Sequence, residues 1–134
     1  MSFHKKILLV DDDSDDQEFF MEALKELEPT LECSIANNGL EALEYLSTNP
    51  PPPSLIFLDL NMPNMNGFEC LAELSKVKQY KDIPVIILTT SNDPENKERS
   101  LKMGARVFLT KVPGMAAIKF QLHEMLEKDF TVAN

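Results

Sequence analysis

The chain has 134 residues, of which 43% are hydrophobic and 26% are charged, and its formal net charge is −9. This length suits a single domain, which we expect to occupy residues 1–134, and the charge argues against nonspecific binding of nucleic acid because a polyanion would be repelled. No apolar run approaches the roughly 20 residues that cross a bilayer, and no signal-peptide pattern begins the chain, so we expect a cytoplasmic protein without a membrane segment.

The first predicted elements are a buried strand, a helix and an edge strand. Residues 7–10 (ILLV) form a continuous apolar run, which is typical of a strand buried on both faces. The spacing of Ser14 and Gln17 predicts a capping box at the start of a helix. Apolar side chains recur in that helix at helical spacing: Phe19, Phe20, Ala23, Leu24 and Leu27. Residues 31–36 then alternate between apolar and polar side chains, which favours a half-exposed edge strand.

A second helix and a proline-rich connector follow. Asn38-Gly39 opens the helix, whose predicted apolar face consists of Leu40, Leu43 and Leu46. Residues 49–53 (NPPPP) cannot continue a helix or join a sheet, so they predict a stiff, extended connector.

The second half of the chain repeats the alternation. Leu55–Leu58 (LIFL) and residues 85–88 (VIIL) are apolar runs typical of buried strands, and residues 107–109 predict a last strand. Helices are expected from Gly67 to about residue 77, and from an Asp93-Pro94 cap to about residue 103. The final helix has an apolar stripe of Met115, Ile118, Leu122, Met125 and Leu126.

Five strand–helix units without an internal linker predict one α/β domain. Strands that are apolar on both faces and separated by helices favour a doubly wound parallel sheet, covered by helices on each side. The three runs without a polar face are therefore expected at the centre of the sheet, and the alternating run at its edge.

Polar side chains stand at the carboxyl ends of four predicted strands. Asp11 and Asp12 follow the first strand, Asp59 follows LIFL, Thr89 follows VIIL, and Lys111 follows the last strand. In open α/β sheets, ligands bind outside the carboxyl ends of the strands. We therefore expect these side chains to converge at one rim of the sheet.

The chemistry of this rim suggests a metal and a phosphoryl group. Neighbouring carboxylates repel one another, so either a proton or a cation must neutralise part of their charge. Oxygen ligands without histidine or thiolate favour Mg²⁺. A carboxylate is also a competent nucleophile toward phosphorus, and the Lys111 ammonium and Thr89 hydroxyl would neutralise transferred charge. Taken singly, each residue also has a structural interpretation as a helix cap, a solvated lysine or a strand end.

The motifs ILLVDDD, LIFLDLNMPNMNGFE, PVIILTTS and VFLTK, in this order, resemble the receiver domain of two-component response regulators from about residue 6 to residue 127. The resemblance implies a flavodoxin-like (βα)5 fold with strand order 2-1-3-4-5. It also implies a signalling protein that is not an enzyme and that takes a phosphoryl group from a sensor histidine kinase or a histidine phosphotransfer protein. The last six residues (DFTVAN) are too few to form an output domain, so we expect a stand-alone receiver. As a monomer or weak homodimer, the protein would then bind an unidentified protein target. The TTS sequence and the long loop before PVIIL are similar to regulators paired with bacteriophytochrome-type and hybrid kinases.

The resemblance also implies a magnesium site. Asp12 and Asp59 would ligate Mg²⁺ through their side chains, and Asn61 would do so through its backbone carbonyl. Asp11 would act mostly through water.

A further set of roles concerns the phosphoryl group. The resemblance implies that Asp59 accepts it, that Lys111 holds one of its oxygens, and that Thr89 moves to hydrogen-bond another. Phe108 falls at the position of the family's switch aromatic, which turns inward when the threonine moves.

One departure from the family keeps an alternative open. The family usually has proline directly after the lysine, with a cis bond between them, but this chain has Lys111-Val112-Pro113. A cis bond before Val112 would cost about 2.5–4 kcal/mol, so a reshaped loop is expected. This feature favours a degenerate receiver that binds proteins without phosphorylation, whereas the complete set of acids, threonine and lysine argues against it.

Two other classes fit the sequence less well. A haloacid-dehalogenase-type phosphatase needs an acid two residues after its nucleophile, where this chain has Asn61. A flavin mononucleotide carrier needs a phosphate-binding loop after the first strand, and the sequence DDDSDD there would repel a phosphate.

Overall fold

Five strands alternate with five helices in the computed structural model, which describes residues 4–130. The strands are β1 (Lys6–Val10), β2 (Glu32–Ala36), β3 (Leu55–Leu58), β4 (Val85–Thr89) and β5 (Val107–Thr110). The helices are α1 (Ser14–Leu27), α2 (Gly39–Thr48), α3 (Gly67–Ser75), α4 (Pro94–Lys102) and α5 (Met115–Leu126). The alternation predicted from the sequence is confirmed.

The strands form one parallel sheet in the order β2-β1-β3-β4-β5. The three apolar strands are central and the alternating strand β2 is at an edge, as predicted. Val10 is in register with Ala36 on one side and with Leu58 on the other. Since β1 and β3 end at the same level, the residues that follow them emerge side by side.

The core has two layers, one on each face of the sheet. Leu8 and Val10 pack with residues of α2 and α3, such as Leu46, whereas Ile7 and Leu9 pack with residues of α1 and α5. All four of these β1 side chains are at most 1% exposed. Burial on both faces explains why the central strands have no polar face.

Three local predictions are wrong. The N-cap of α1 is Asp13, whose side chain accepts a hydrogen bond from the Asp16 N–H, and Ser14 is the first helical residue. Phe19 and Leu40 were expected to face the core, but their exposed fractions are 48% and 54%. Both side chains lie at the margin of the apolar stripe of their helix, where helical spacing alone does not decide burial.

The alternation in β2 also breaks at its carboxyl end. Ile35 is 37% exposed, whereas Ala36 is 1% exposed and packs in the core layer beneath α2. Because β2 has a neighbouring strand on one side only, an apolar side chain near its end remains open to solvent.

Helix α4 has few core anchors. Its only buried side chain is Ser100, and Leu101 is 38% exposed. The Arg99 guanidinium lies over the ring of Phe68, 3.9 Å from its centroid, and so links α4 to α3. Among residues 4–130, no helix is both long enough and apolar enough to cross a membrane.

Candidate functional site

The sheet brings Asp11 and Asp59 together through its backbone hydrogen bonds. The Asp59 N–H donates to the Val10 carbonyl at 2.9 Å, and the Asp11 N–H donates to the Ala36 carbonyl at 3.0 Å. Each aspartate is therefore the first residue beyond its strand, and each is held by the neighbouring strand. The carboxyl edge of adjacent parallel strands is where an α/β sheet places its binding site.

Three carboxylates form a cluster at this edge. Asp11, Asp12 and Asp59 each offer an oxygen, and these oxygens lie within 4.8 Å of one another. Asp11 and Asp59 are buried, at 2% and 7% exposure, whereas Asp12 is exposed. Asp59 Oδ1 accepts a hydrogen bond from the Leu60 N–H at 2.7 Å, which fixes the orientation of the carboxylate.

Burial raises the pKa of Asp11 above its ordinary value, although hydrogen bonds from Lys111 and from the Asp13 N–H lower it. The negative charge of Asp59 adds a smaller upward contribution. The pocket thus has a surplus of negative charge in a partly desolvated position, and this surplus favours a cation.

Lys111 extends into the cluster from the end of β5. Its ammonium lies 2.7 Å from Asp11 Oδ2, 2.7 Å from Asp16 Oδ2 and 3.4 Å from Asp59 Oδ2. Burial alone lowers the pKa of Lys111, but the hydrogen bonds to Asp11 and Asp16 outweigh it and the net shift is upward. Lys111 is therefore a fixed positive charge at neutral pH.

The Lys111-Val112-Pro113 loop leaves this reach intact. Both peptide bonds of the segment are trans, since the only cis bond in the described residues joins Pro50 and Pro51. The Lys111 N–H donates to the Thr89 carbonyl at 2.7 Å and so ties the start of the loop to the end of β4.

The remaining predicted site residues are Thr89, Asn61 and Phe108, and they differ in burial. Thr89 is fully buried at the end of β4, and its hydroxyl accepts a hydrogen bond from the Ser91 N–H at 3.5 Å. The Asn61 N–H lies 3.5 Å from Asp59 Oδ1, and the Asn61 side chain is exposed. Phe108 is half-buried on β5 and packs against the core layer beneath α2 and α3.

Asp16 also belongs to this site, although the sequence pattern did not indicate it. Its position in the first turn of α1 indicated only a favourable interaction with the helix dipole. The structure shows that its carboxylate reaches Lys111, 95 residues further along the chain. Asp11 and Asp16 are five residues apart and α1 begins between them, so their shared partner becomes apparent only once the helix direction is known.

The oxygen cluster fits a hard divalent cation. Its three carboxylate oxygens come from two adjacent strand ends, and among the described residues no histidine or cysteine belongs to it. Mg²⁺ typically uses one or two carboxylates and otherwise water or phosphate oxygens, so an open, partly exposed cluster suits it.

The strand order β2-β1-β3-β4-β5 and the acid–lysine pocket at the carboxyl edge of the sheet define a flavodoxin-like α/β domain. The chain belongs to the response regulator receiver domain family, which matches residues 7–123. It is 38% identical over 112 residues to the response regulator Rcp1 of Synechocystis sp., covering 80% of this chain and 76% of Rcp1.

Solved structures agree with this assignment. The Mn²⁺-bound form of Rcp1 superposes with a TM-score of 0.83 at 33% identity, covering 93% of this chain and 96% of that chain. The phosphorylated cyanobacterial phytochrome response regulator RcpA also gives a TM-score of 0.83, at 32% identity and with 91% of each chain covered. The family and fold implied by the sequence motifs are confirmed.

Proposed function

We propose that this protein accepts a phosphoryl group on Asp59 from a histidine kinase or a histidine phosphotransfer protein. The observation that carries the proposal is the convergence of Asp11, Asp12, Asp59 and Lys111 at the carboxyl edge of the sheet. Asp59 is the acid best placed as acceptor, because it stands at the end of the central strand β3 with its carboxylate fixed by Leu60.

The transfer exchanges one bond to phosphorus for another. The phosphorus–nitrogen bond of a phosphohistidine breaks while a phosphorus–oxygen bond to Asp59 forms, and the histidine ring leaves with its electron pair and takes up a proton from solvent. Lys111 faces the transferred charge, since its ammonium is already 3.4 Å from Asp59 Oδ2. Asp11 and Asp12 would hold Mg²⁺ with Asp59 and the Asn61 carbonyl. The bound ion would supply further charge neutralisation.

The response to phosphorylation is proposed to pass through Thr89 and Phe108. Thr89 is buried at the end of β4, the strand next to β3, and we expect its hydroxyl to move to a phosphoryl oxygen. Phe108 is paired in register with Ile87, two residues before Thr89, and is only half-buried, which leaves it room to change rotamer. A charge-assisted hydrogen bond at Thr89 would bias this two-state element.

The change would be conveyed to a protein target through the neighbouring helix α4. Ser100 is the only buried side chain of this helix, so α4 is weakly anchored and suits a movable binding face. RcpA is a phytochrome response regulator, and we propose a phytochrome-type or hybrid histidine kinase in the cytoplasm as the donor. We further propose one receiver domain over residues 1–134 that acts as a monomer or weak homodimer and has no catalytic activity beyond its own phosphorylation and dephosphorylation.

The alternative is a receiver that binds proteins without phosphorylation. It was favoured by the altered loop after Lys111. The contact between the Lys111 ammonium and Asp11 argues against it, because the altered loop does not withdraw the lysine from the pocket.

A small acyl phosphate with Mg²⁺ tests the proposal. Intact-protein mass spectrometry should show one added phosphoryl group on the wild type and none on Asp59→Ala. Asp82→Ala removes an exposed aspartate outside the pocket and should be labelled like the wild type. An unlabelled wild type, under conditions that label a known receiver, would favour the phosphorylation-independent alternative.

A further inference from the structure

Lys111 shares its three N–H donors among three carboxylates. An ammonium has three donors and no acceptor, so the contacts to Asp11, Asp16 and Asp59 use all of them. The two contacts of 2.7 Å go to Asp11 and Asp16, and the contact to Asp59 is the longest at 3.4 Å. Lys111 is therefore held more closely by Asp11 and Asp16 than by Asp59, the proposed acceptor.

Asp16 differs from the other two partners in position and exposure. Its side chain is 36% exposed, compared with 3% for Asp11 and 10% for Asp59. It lies on the first turn of α1 rather than at a strand end, and it does not belong to the oxygen cluster that fits a metal. A carboxylate so close to solvent regains water when it loses its partner, so it can give up Lys111 at lower cost than the buried Asp11.

Phosphorylation changes the competition for the ammonium. When Asp59 takes a phosphoryl group from an acyl phosphate, the donor's phosphorus–oxygen bond breaks to release a carboxylate, and a phosphorus–oxygen bond to Asp59 forms. The single negative charge on Asp59 is replaced by a phosphoryl group that carries nearly two. Asp16 then competes with this group for a donor of Lys111 and adds negative charge near the place where the phosphoryl group forms.

We propose that Asp16 is a positioning residue that holds Lys111 in the unphosphorylated protein and releases it to the phosphoryl group, so that Asp16 slows phosphorylation. This inference rests on the proposed function, since it takes Asp59 as the phosphoryl acceptor. Asp16 acts only through Lys111 and makes no bond to phosphorus.

The test compares two neighbouring acids on the same helix turn. Asp16→Asn removes the charge that pairs with Lys111, whereas Asp15→Asn removes an equal charge from an exposed position next to it. With acetyl phosphate and Mg²⁺, Asp16→Asn should raise the second-order rate constant for phosphorylation by about three- to fivefold. Asp15→Asn should change it by less than about twofold, through long-range charge alone. Asp16→Glu, which restores a carboxylate with a longer reach, should return the rate toward that of the wild type.

A second measurement follows the lysine directly. Trace acetylation with labelled acetic anhydride, read by peptide mass spectrometry, should show greater reactivity of Lys111 in Asp16→Asn than in the wild type. Lys119, which pairs with Glu26, is the internal reference and should not change. Asp16→Ser should reproduce both results and guards against a folding defect particular to the asparagine variant.

The outcomes separate this inference from the proposed function. An unchanged or slower phosphorylation rate in Asp16→Asn, or an equal acceleration in Asp15→Asn, would overturn the role of Asp16. A wild type that takes no phosphoryl group would instead refute the proposed function. In that case, the reactivity of Lys111 still decides whether Asp16 holds it.

Discussion

Gly67, the first residue of α3, lies close to the backbone of Asp59 and Leu60, the two residues that follow β3. A methyl group added at Gly67 would lie 2.4 Å from the Asp59 carbonyl oxygen and 2.8 Å from Leu60 Cα. Ordinary van der Waals contact begins near 3.4 Å, and both obstructing atoms belong to the backbone. Gly67→Ala therefore requires a displacement of roughly 1 Å in the segment that carries the proposed phosphoacceptor.

Gly67→Ala has two opposing effects on the free energy of unfolding. Gly67 is the first residue of α3, so replacing it by alanine gains less than the roughly 1 kcal/mol of a helix interior, whereas overpacking a rigid site costs about 1–3 kcal/mol and sometimes more. Because the obstruction at Gly67 is backbone, we expect a net loss of about 1–2 kcal/mol in the free energy of unfolding. This loss corresponds to a fall in Tm of about 3–8 °C for a domain of this size.

Gly39→Ala is the matched control. Gly39 also begins a helix after an asparagine cap, and its added methyl group would meet the Met65 side chain, with Cγ at 2.5 Å. A methionine side chain can turn aside more easily than backbone, so we expect a smaller loss of stability and a wild-type rate of phosphorylation.

Two assays decide between these expectations. Denaturant unfolding gives the loss of stability, and labelling by an acyl phosphate with Mg²⁺ gives the rate, which should fall about 10- to 100-fold in Gly67→Ala because the acceptor is misplaced. A Gly67→Ala variant that is as stable as the wild type and is phosphorylated at the same rate would show that the close approach of Gly67 to Asp59 does not constrain the acceptor.

Three further predictions concern the metal, the thiols and helix α4. Mg²⁺ at about 100 times its Kd should stabilise the wild type by about 2.7 kcal/mol, which is measured as a higher Tm. The Tm of Asp12→Ala should rise much less, and an equal rise in both proteins would exclude this pocket as the magnesium site. Burial raises the pKa of the Cys33 and Cys70 thiols to about 12, so iodoacetamide at pH 8 should modify them only after unfolding. Since the unfolded thiols ionise near the ordinary value of 9.0, their contribution to stability should fall as pH rises from there toward 12; rapid labelling of the native protein would contradict this burial. Arg99→Ala should lower stability by about 0.5–1 kcal/mol and speed amide exchange in α4 by removing the contact with Phe68, and unchanged exchange would show that this contact does not anchor the helix.

Much of the fold follows from local patterns in the sequence. ILLV, LIFL and VIIL have no polar face, and this property alone predicted that their strands are central. Asp11 and Asp59 each follow such a run directly, so parallel pairing was enough to predict that they meet at one edge. The burial pattern of a strand and the position of its end depend on short segments, so they can be predicted without knowing how the rest of the chain folds.

The choice of partners depends instead on how distant segments pack. Phe19 and Leu40 have the spacing of core residues, yet they are exposed because they lie at the margin of the helix face that packs against the sheet. The close approach of Gly67 to Asp59, and the pairing of Asp16 with Lys111, join segments that the sequence separates. The chain's own order thus determined which groups stand at the rim of the sheet. Only the packing of helices against strands decided which of them touch, because contact depends on distances of a few ångströms that no local pattern specifies.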